Sequence, residues 1–454
     1  MRLACFVLVA LVCTVADAQT WEKTLAPGLV YRTVVDTLLP RTVHAVRFSV
    51  GSPAIKAVPE LSELKVYTDS AYRGRETIGT LVKRAGAVAG INADYFPPSG
   101  DPLGLMVRGG ELISLPHPER SAFAWGATGV AIGKARSSLS LKSELGDAIS
   151  IDNFNQECGL NDVGLFSESA GLAFAKPPCV RAVLDLGRGT LSPTGEAEGV
   201  VRSVLSDGNL NVPPGTLVLA ATGPKMALVQ ALRPGTRVRL VWNTEGFDWQ
   251  KYPNAVGGGP LLMRDGRSVI GGDDEGFSKA FVEGRHPRSA VGRTPEGDVW
   301  FVTVDGRQPM SVGASLAELA TIMKNLGCTD AVNLDGGGST TLHIFGVTVN
   351  RPSDGKERAV ANGVLFFGSR PVADTRKLRL ALPESLVEGQ SLTLKVFGDD
   401  GQPVPNIDLL WGAMGQAWID QGGLLRTLAP GTVEITVSAR GQVLTGTVKI
   451  LAKG

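Results

Sequence analysis

Residues 327–341 read GCTDAVNLDGGGSTT, and this stretch carries the strongest signal for the fold of the chain. A glycine stop precedes an apolar strand that ends in Asn333 and Asp335, and three consecutive glycines follow. Side chains alternate with period two along a strand, so Asn333 and Asp335 lie on one face near its end. A turn does not need three glycines, and their amides can approach a bound anion. The stretch predicts a carboxylate delivered to a functional loop, with an Asp-Gly hairpin turn as the structural alternative.

A helix is predicted directly before this strand, over residues 315–326. Ser315 and Glu318 form a capping-box pair, and apolar residues follow at helical spacing. Gly327 is a suitable stop. A second, weaker helix is predicted over residues 76–85.

This weaker helix is followed by GAVAGINAD at residues 86–94, which repeats the pattern of glycine, apolar strand and Asn-x-Asp. A fainter similarity pairs HPERSA at residues 117–122 with HPRSA at residues 286–290. We expect an old duplication in which two strand ends, carrying Asp94 and Asp335, converge on one site. Chance similarity between short words is the alternative.

The composition is that of a packed globular protein. Of 454 residues, 43% are hydrophobic and 20% are charged, which excludes global disorder. The 45 Lys and Arg residues nearly balance the 44 Asp and Glu residues, so we expect no nucleic-acid partner. The 57 glycines and 27 prolines indicate short strands and many turns.

The first 18 residues have the features of a secretory signal peptide. Arg2 precedes an apolar run over residues 3–15, and Ala16-Asp17-Ala18 forms a small-residue exit. A buried N-terminal helix or strand is the alternative. The run is too short to span a bilayer comfortably, so we expect no membrane insertion after its removal.

Three cysteines remain after this segment. Cys158 and Cys179 could close a loop in an oxidising compartment. Cys328 is then unpaired, and its position between a helix and an apolar strand predicts a buried free thiol.

A basic motif at residues 285–288 provides side chains that can bind an anion. The guanidinium groups of Arg285 and Arg288 can each form bidentate hydrogen bonds to phosphate oxygens, and His286 can donate a proton or a hydrogen bond. A solvated basic loop is the alternative. Gly257, Gly258 and Gly259 permit close backbone approach, although glycine runs are often only turns.

Taken together, the Gly-Gly-Gly-Pro word at 257–260, the Arg-His-Pro-Arg-Ser-Ala word at 285–290 and the Asn-Leu-Asp-Gly-Gly-Gly-Ser word at 333–339 resemble the phosphodiester glycosidase family. The resemblance covers about residues 78–367. It implies cleavage between a sugar anomeric carbon and a phosphate oxygen, which leaves a phosphomonoester. Many relatives carry Asn-Gly-Gly-Phe-Phe where this chain has Asn92-Ala93-Asp94-Tyr95-Phe96.

The resemblance implies catalytic roles for four residues: Asp335, His286, Arg285 and Arg288. The residues expected to bind substrate are Asn92, Asp94, Gly257, Gly258, Gly259, Asn333, Gly336, Gly337, Gly338 and Ser339. No metal-ligand spacing is present, so we expect no cofactor, and a structural divalent cation is left open.

We expect an α+β fold, with a sheet-rich catalytic domain and a few helices at residues 19–370. Residues 371–454 alternate apolar and polar residues, and GTVEITVS at 431–438 resembles the last strands of bacterial Ig-like domains. This predicts a small β-sandwich. The chain resembles a bacterial exported protein, secreted, periplasmic or at the cell surface, that acts on a sugar-phosphate or polysaccharide substrate.

Two other functions fit the same residues. One is a carbohydrate-binding surface protein without activity, which the Ig-like tail would suit. The other is a metal-dependent phosphodiesterase that breaks the P–O bond, with ligands from Asp94, Asp335, Asp305 and His286.

Overall fold

The computed structural model describes residues 18–68, 74–146, 148–206, 208 and 210–453. The predicted signal peptide lies outside these residues, except for Ala18, which begins the first strand. Within the described part of the chain, no helix is long and apolar enough to cross a membrane.

The described residues are dominated by short strands. In chain order they are β1 (Ala18–Ala26), β2 (Leu29–Asp36), β3 (Arg41–Ser49), β4 (Lys56–Leu61), β5 (Ala89–Asn92), β6 (Met106–Arg108), β7 (Glu111–Ser114), β8 (Ser121–Gly126), β9 (Gly129–Lys134), β10 (Arg136–Ser143), β11 (Ile149–Ile151), β12 (Asn153–Phe154), β13 (Val163–Phe166), β14 (Leu172–Ala173), β15 (Cys179–Asp185), β16 (Thr194–Ser206), β17 (Leu210–Asn211), β18 (Leu217–Thr222), β19 (Arg237–Glu245), β20 (Asn254–Gly257), β21 (Leu261–Arg264), β22 (Arg267–Ser268), β23 (Arg288–Arg293), β24 (Asp298–Val304), β25 (Asp330–Leu334), β26 (Leu342–Ile344), β27 (Val347–Thr348), β28 (Asn362–Phe367), β29 (Arg379–Ala381), β30 (Ser385–Val387), β31 (Ser391–Thr393), β32 (Lys395–Phe397), β33 (Leu409–Gly415), β34 (Ala417–Ile419), β35 (Leu424–Thr427), β36 (Gly431–Ala439) and β37 (Gln442–Leu451).

In the part of the chain that the structure describes, the α-helices are few and short. They are α1 (Ile78–Ala85), α2 (Met226–Gln230), α3 (Lys279–Glu283) and α4 (Leu316–Asn325). The expected α+β class is wrong, because the chain is 48% strand and 11% helix and therefore mostly β. Helix α1 packs against β5 and helix α4 packs against β21.

The two helices predicted from local signals are confirmed. In α4, Ser315 and Glu318 form the complete capping box. In α1, the Thr77 side chain accepts a hydrogen bond from the backbone N–H of Thr80, and the helix ends at Gly86 in the left-handed region.

Three sheets surround the main hydrophobic core. Their strand orders are β1-β2-β3-β24-β23-β25-β21-β22, β7-β6-β20-β8-β9 and β27-β26-β5-β28-β4. Phe123 of β8, Phe301 of β24 and Phe366 of β28 meet in this core, and their rings pack edge to face at 5.8 and 5.5 Å. These aromatic contacts fix the sheets relative to one another, so the ends of β5 and β25 lie side by side.

A second eight-stranded sheet has the order β11-β10-β19-β16-β15-β18-β13-β12. Cys158 and Cys179 are buried near it, and Cys158 is a free thiol, so the two are not joined in this structure. Arg181 Nη1 donates to the Cys179 sulfur at 2.9 Å. The prediction for Cys328 is confirmed, because it is a buried free thiol.

Strands β29 to β37 pair only with one another within the described residues, and they enclose their own core around Trp411. They contact the preceding strands through Arg351, whose Nε donates to Gly415 O at 3.2 Å, and through Lys23, whose Nζ donates to Leu409 O at 3.1 Å. The boundary at residues 370 and 371 and the Ig-like identity of this part stay predictions.

Candidate active site

The predicted convergence of two strand ends is confirmed. The backbone N–H of Asp335, just after β25, donates to the carbonyl of Ala93, just after β5, at 2.9 Å. Asn92 Nδ2 donates to the Asp335 carbonyl at 2.7 Å. The two strand ends are therefore joined, with Asp94 and Asp335 in one site, while the ancestral duplication itself stays a hypothesis.

The Asn92 side chain stabilises this junction between the two strand ends through further hydrogen bonds. Its Oδ1 accepts from Ser289 Oγ at 2.8 Å and from the backbone N–H of Thr341 at 3.1 Å. Asn92 is buried, so its amide fixes the backbone that carries Asp335.

Asp335 is half-buried at the start of the glycine loop. Burial raises the pKa of its carboxyl group to about 6, and hydrogen bonds from the Ser339 side chain and the Gly336 N–H oppose this increase. Ser339, predicted to bind substrate, therefore orients this carboxylate.

Asp94 lies deeper in the same site and is 3% exposed. Its Oδ1 accepts from the backbone N–H of Tyr95 at 2.8 Å, and its Oδ2 accepts from that of Gly104 at 2.7 Å. Burial raises the pKa of Asp94 to about 7, and the negative charge of Asp335 adds to the increase. The site thus holds two carboxyl groups whose pKa values are both raised toward neutral pH, where a carboxyl group can donate or accept a proton.

The first glycine run packs against these groups. A Cβ on Gly257 would lie 2.5 Å from Asp94 Oδ2, and one on Gly258 would lie 2.6 Å from the Asn333 carbonyl oxygen. The N–H groups of Gly258 and Gly259 donate to Ser121 O at 3.0 Å and Asn333 O at 2.7 Å. These glycines permit close packing, and two of their amides are not available to a substrate.

Asn333 is buried at the same joint. Its Nδ2 faces three acceptors, namely Tyr95 Oη at 2.6 Å, Gly259 O at 2.9 Å and Leu334 O at 2.8 Å. Asn333 therefore ties the first glycine run to β25.

The second glycine run is more open. Gly336 and Gly337 are half-buried, and Gly337 adopts a left-handed φ of 61°. The Gly337 N–H donates to Pro287 O at 2.9 Å. A Cβ on Gly338 would lie 2.0 Å from Arg358 Nη2, so the guanidinium of Arg358 packs directly on the loop.

Arg288 is buried and holds backbone carbonyls together. Its Nε donates to Ala314 O at 2.9 Å, and its Nη2 donates to Phe281 O at 2.6 Å and Gly284 O at 2.9 Å. Burial lowers its pKa to about 10. Much of its guanidinium is therefore committed to the segment around α3.

His286 is half-buried beside these groups. Its Nδ1 lies 3.5 Å from Nη2 of Arg307. Burial lowers the pKa of His286, and the charges of Arg288 and Arg307 lower it further, which favours a neutral imidazole.

Arg285 points elsewhere. Its Nη2 lies 2.7 Å from Glu318 Oε1, and its Nε lies 3.0 Å from Oε2. This bond is the main reason that the pKa of Glu318 is lowered to about 2. The structure therefore places Arg285 in an exposed ion pair at the start of α4, and does not bring it to the two carboxylates.

The sequence analysis missed three arginines. The positive charges of Arg120 and Arg358 lower the pKa of Asp335, and Arg307 lies beside His286. Only Arg120 had a signal in the sequence, because the similarity between residues 117–122 and 286–290 aligns it with Arg288.

Among the described residues, no group of three or more His, Cys, Asp or Glu side chains is arranged to hold a metal ion. Asp305 accepts from Asn350 Nδ2 at 3.2 Å and from Arg351 N–H at 3.1 Å, and it faces His44 at 3.7 Å. Asp305 therefore belongs to a separate group of hydrogen-bonded residues from Asp94 and Asp335.

The segment that supplies most of these groups matches a known family. Residues 194–367 match the sequence profile of the phosphodiester glycosidases. Asp335, His286 and Arg288 lie within the matched segment, whereas Asp94 and Arg120 precede it.

Two curated relatives share short stretches with the chain. The SPbeta prophage-derived protein YomE of Bacillus subtilis (strain 168) is 33% identical over 123 residues, which is 27% of this chain and 19% of that protein. The N-acetylglucosamine-1-phosphodiester alpha-N-acetylglucosaminidase of Mus musculus is 40% identical over 78 residues, 17% of this chain and 15% of that enzyme. The matches thus span less than a fifth of either relative.

Two solved structures share the fold. A hypothetical protein from Synechocystis has a TM-score of 0.62 at 23% identity, over 76% of this chain and 62% of that one. A protein of Burkholderia pseudomallei K96243, described as exported, has a TM-score of 0.61 at 22% identity, over 72% and 74%. At this identity the likeness concerns the fold alone.

Proposed function

We propose that the protein hydrolyses the bond between the anomeric carbon of a sugar and the phosphate oxygen of a sugar-1-phosphate diester. The products are the free sugar and a phosphomonoester. The observation that carries this proposal is the meeting of Asp94 and Asp335 at two joined strand ends. The match of residues 194–367 to the phosphodiester glycosidases supports the same chemistry.

Asp335 is the carboxylate that acts on the anomeric carbon, either as nucleophile or as base for water. Its half-exposed position gives a substrate access, and Ser339 and Gly336 hold its orientation. Asn92 fixes the backbone beneath it.

Asp94 is the partner that keeps a proton near neutral pH. It assists departure of the phosphate oxygen, which needs less acid catalysis than a sugar hydroxyl because phosphate is already a competent leaving group. Loss of Asp94 should therefore cost less activity than loss of Asp335.

Breaking the C1–O bond places a second negative charge on the departing phosphate. Positive groups around the site stabilise that charge more strongly in the transition state than in the substrate. Arg307 and Arg358 lie against the open glycine loop and suit this role, with neutral His286 as a hydrogen-bond donor.

The substrate class that we propose is an N-acetylglucosamine-1-phosphodiester or a similar diester in an envelope or external polysaccharide. The name of the mouse relative and the predicted signal peptide support it. We propose that the protein acts outside the bacterial cytoplasm.

The test is hydrolysis of UDP-GlcNAc and GlcNAc-α-1-phospho-methyl-mannose by the purified protein, followed by NMR. We expect free sugar and an intact phosphomonoester. Asp335→Asn should lower kcat/KM by about 10²–10⁴-fold, the range for loss of a catalytic carboxylate. Asp265→Asn is the matched control, since Asp265 lies exposed in a hairpin at a left-handed φ of 47° that asparagine tolerates.

Other products would point to other functions. Sugar-1-phosphate, formed only without EDTA, would mean P–O cleavage by a metal-dependent enzyme. Sugar binding by a well-folded sample that turns over no sugar-1-phosphate diester would mean a carbohydrate-binding protein.

A further inference from the structure

Arg120 differs from the other arginines at this site because its guanidinium makes no hydrogen bond or ion pair within the described part of the chain. Its Nε is buried and lacks a partner there. The other arginines at the site are hydrogen-bonded to protein groups, namely Arg288 to three carbonyls, Arg307 to His286 and Arg358 to Asp354. An unpaired buried donor is costly unless a ligand satisfies it.

Two aromatic rings hold this guanidinium. The Arg120 Cζ lies 5.1 Å from the ring centre of Tyr95 and 4.5 Å from that of Phe277. The two rings are themselves in contact at 5.6 Å. Stacking positions a guanidinium through its face, and so leaves the N–H groups at its edge free to bind.

The backbone that carries Arg120 is also fixed. The N–H and Oγ of the next residue, Ser121, donate to the buried Glu275 carboxylate at 2.7 and 2.9 Å. Ser289, which follows Arg288 in the similar word, is pinned in the same way by Asn92 at 2.8 Å. Of the two arginines in these similar motifs, Arg288 is hydrogen-bonded to backbone carbonyls, whereas the guanidinium of Arg120 makes no hydrogen bond within the described residues.

The charge of Arg120 reaches both carboxyl groups of the site. It lowers the pKa of Asp94 and that of Asp335, although it forms an ion pair with neither. The guanidinium of Arg120 is therefore close enough to both carboxyl groups to act on charge that develops beside them.

We propose that Arg120 binds the phosphate oxygens of the substrate and stabilises the second negative charge that develops when the C1–O bond breaks. This inference rests on the proposed function. It assigns the phosphate contact to Arg120 in place of Arg285, and gives Tyr95 and Phe277 the role of orienting it. Planar, charge-assisted N–H···O bonds to phosphate are the interaction that arginine makes best.

The test measures anion binding and turnover separately. Inorganic phosphate and UDP, the phosphate product of UDP-GlcNAc hydrolysis, are titrated calorimetrically into wild type, Arg120→Gln and Arg120→Lys. Arg120→Gln should lower the affinity for phosphate and for UDP by at least about tenfold, as expected for loss of charge-assisted hydrogen bonds. Arg120→Lys keeps the charge without the planar fork and should fall between.

Arg188→Gln is the matched control, because Arg188 also stacks on a ring, that of Trp242 at 5.7 Å, but in the second eight-stranded sheet. It should bind both ligands as wild type does. The inference is overturned if Arg120→Gln binds UDP like wild type, or if wild type binds neither ligand.

Turnover distinguishes the two proposals. If wild type hydrolyses a sugar-1-phosphate diester and Arg120→Lys retains full kcat/KM and full phosphate affinity, the inference about Arg120 fails and the proposed function stands. If wild type binds UDP through Arg120 but hydrolyses no diester, the proposed function fails and the anion site stands. Circular dichroism of each variant shows whether it has folded, and Arg120→Lys decides the matter should Arg120→Gln not fold.

Discussion

The side-chain amide of Asn92 is hydrogen-bonded to the backbone carbonyl of Asp335, with 2.7 Å between Nδ2 and O. The two residues lie 243 positions apart in sequence, and they meet where two sheets join. Because Asn92 Oδ1 also accepts from Ser289 and Thr341, one buried amide holds three backbone segments. The position of the Asp335 carboxylate therefore depends on a residue that need not touch the substrate.

Replacement of Asn92 by Ala should lower both stability and kcat. It leaves buried groups of Ser289, Thr341 and Asp335 without a partner, each at a cost of about 1–3 kcal/mol. We expect a loss of at least roughly 3 kcal/mol in the free energy of unfolding, measured by chemical denaturation. The kcat should fall more than KM rises, because the reacting carboxylate moves.

Asn243→Ala is the control for this change, since the Asn243 side chain donates a hydrogen bond to the exposed Glu245 side chain at 2.8 Å. Equal effects of Asn92→Ala and Asn243→Ala would contradict the positioning role.

The pH dependence of kcat/KM should be bell-shaped. Asp335, with a pKa raised by burial to about 6, must lose its proton to act, so the rate should rise through that pH. Asp94, with a pKa raised to about 7, must keep its proton, so the rate should fall above that pH. In Asp94→Asn the alkaline limb should disappear and the acid limb should remain. A profile that is flat from pH 5 to 8 would exclude this pair of roles.

Asp94 should also make the fold less stable as pH rises. Its folded-state pKa of about 7 exceeds the ordinary 3.8, so folding favours the protonated form. Stability is then highest at acid pH and declines as pH rises from about 4 through 7. Relative to wild type, Asp94→Asn should gain up to roughly 4 kcal/mol in unfolding free energy between pH 4 and 8. A difference that stays the same at both pH values would show that this carboxyl group carries no such penalty.

Local patterns in the sequence correctly predicted features that depend on residues close together in the chain. The capping box of Ser315 and Glu318 is an example, and the structure confirms it. The repeat of Asn-x-Asp also predicted the meeting of two strand ends. The predicted α+β class was wrong, because the two predicted helices carried more weight than the many short strands around them.

The side chains that the sequence could not place depend on distant partners. Arg285 forms its ion pair with a glutamate 33 positions away, at the start of α4. Arg120 is held by Phe277, which comes from a different loop. A motif such as Arg-His-Pro-Arg predicts an anion-binding site, but its composition does not show which arginine side chain faces that site.

The first glycine run should tolerate no added side chain. In Gly257→Ala the new methyl group would lie 2.5 Å from Asp94 Oδ2, so Asp94 must move away from Tyr95 and Gly104. We expect kcat/KM to fall by about tenfold or more, as for a displaced acid catalyst. Gly133→Ala is the matched control, because its Cβ would meet no described atom within 4 Å. Wild-type rates from Gly257→Ala would show that Asp94 has no role in the reaction.

Arg285→Ala and Arg288→Ala should behave differently although the two residues are three apart. Arg285 pairs with Glu318 at the surface, and its loss should leave kcat/KM within about twofold, as for most exposed ion pairs. Arg288 is buried and holds Ala314, Phe281 and Gly284, so its loss leaves carbonyls unpaired and should lower the melting temperature. Thermal unfolding and steady-state rates of both variants provide the comparison. A large loss of kcat in Arg285→Ala, with an unchanged melting temperature, would return Arg285 to the reaction and require its ion pair to open when substrate binds.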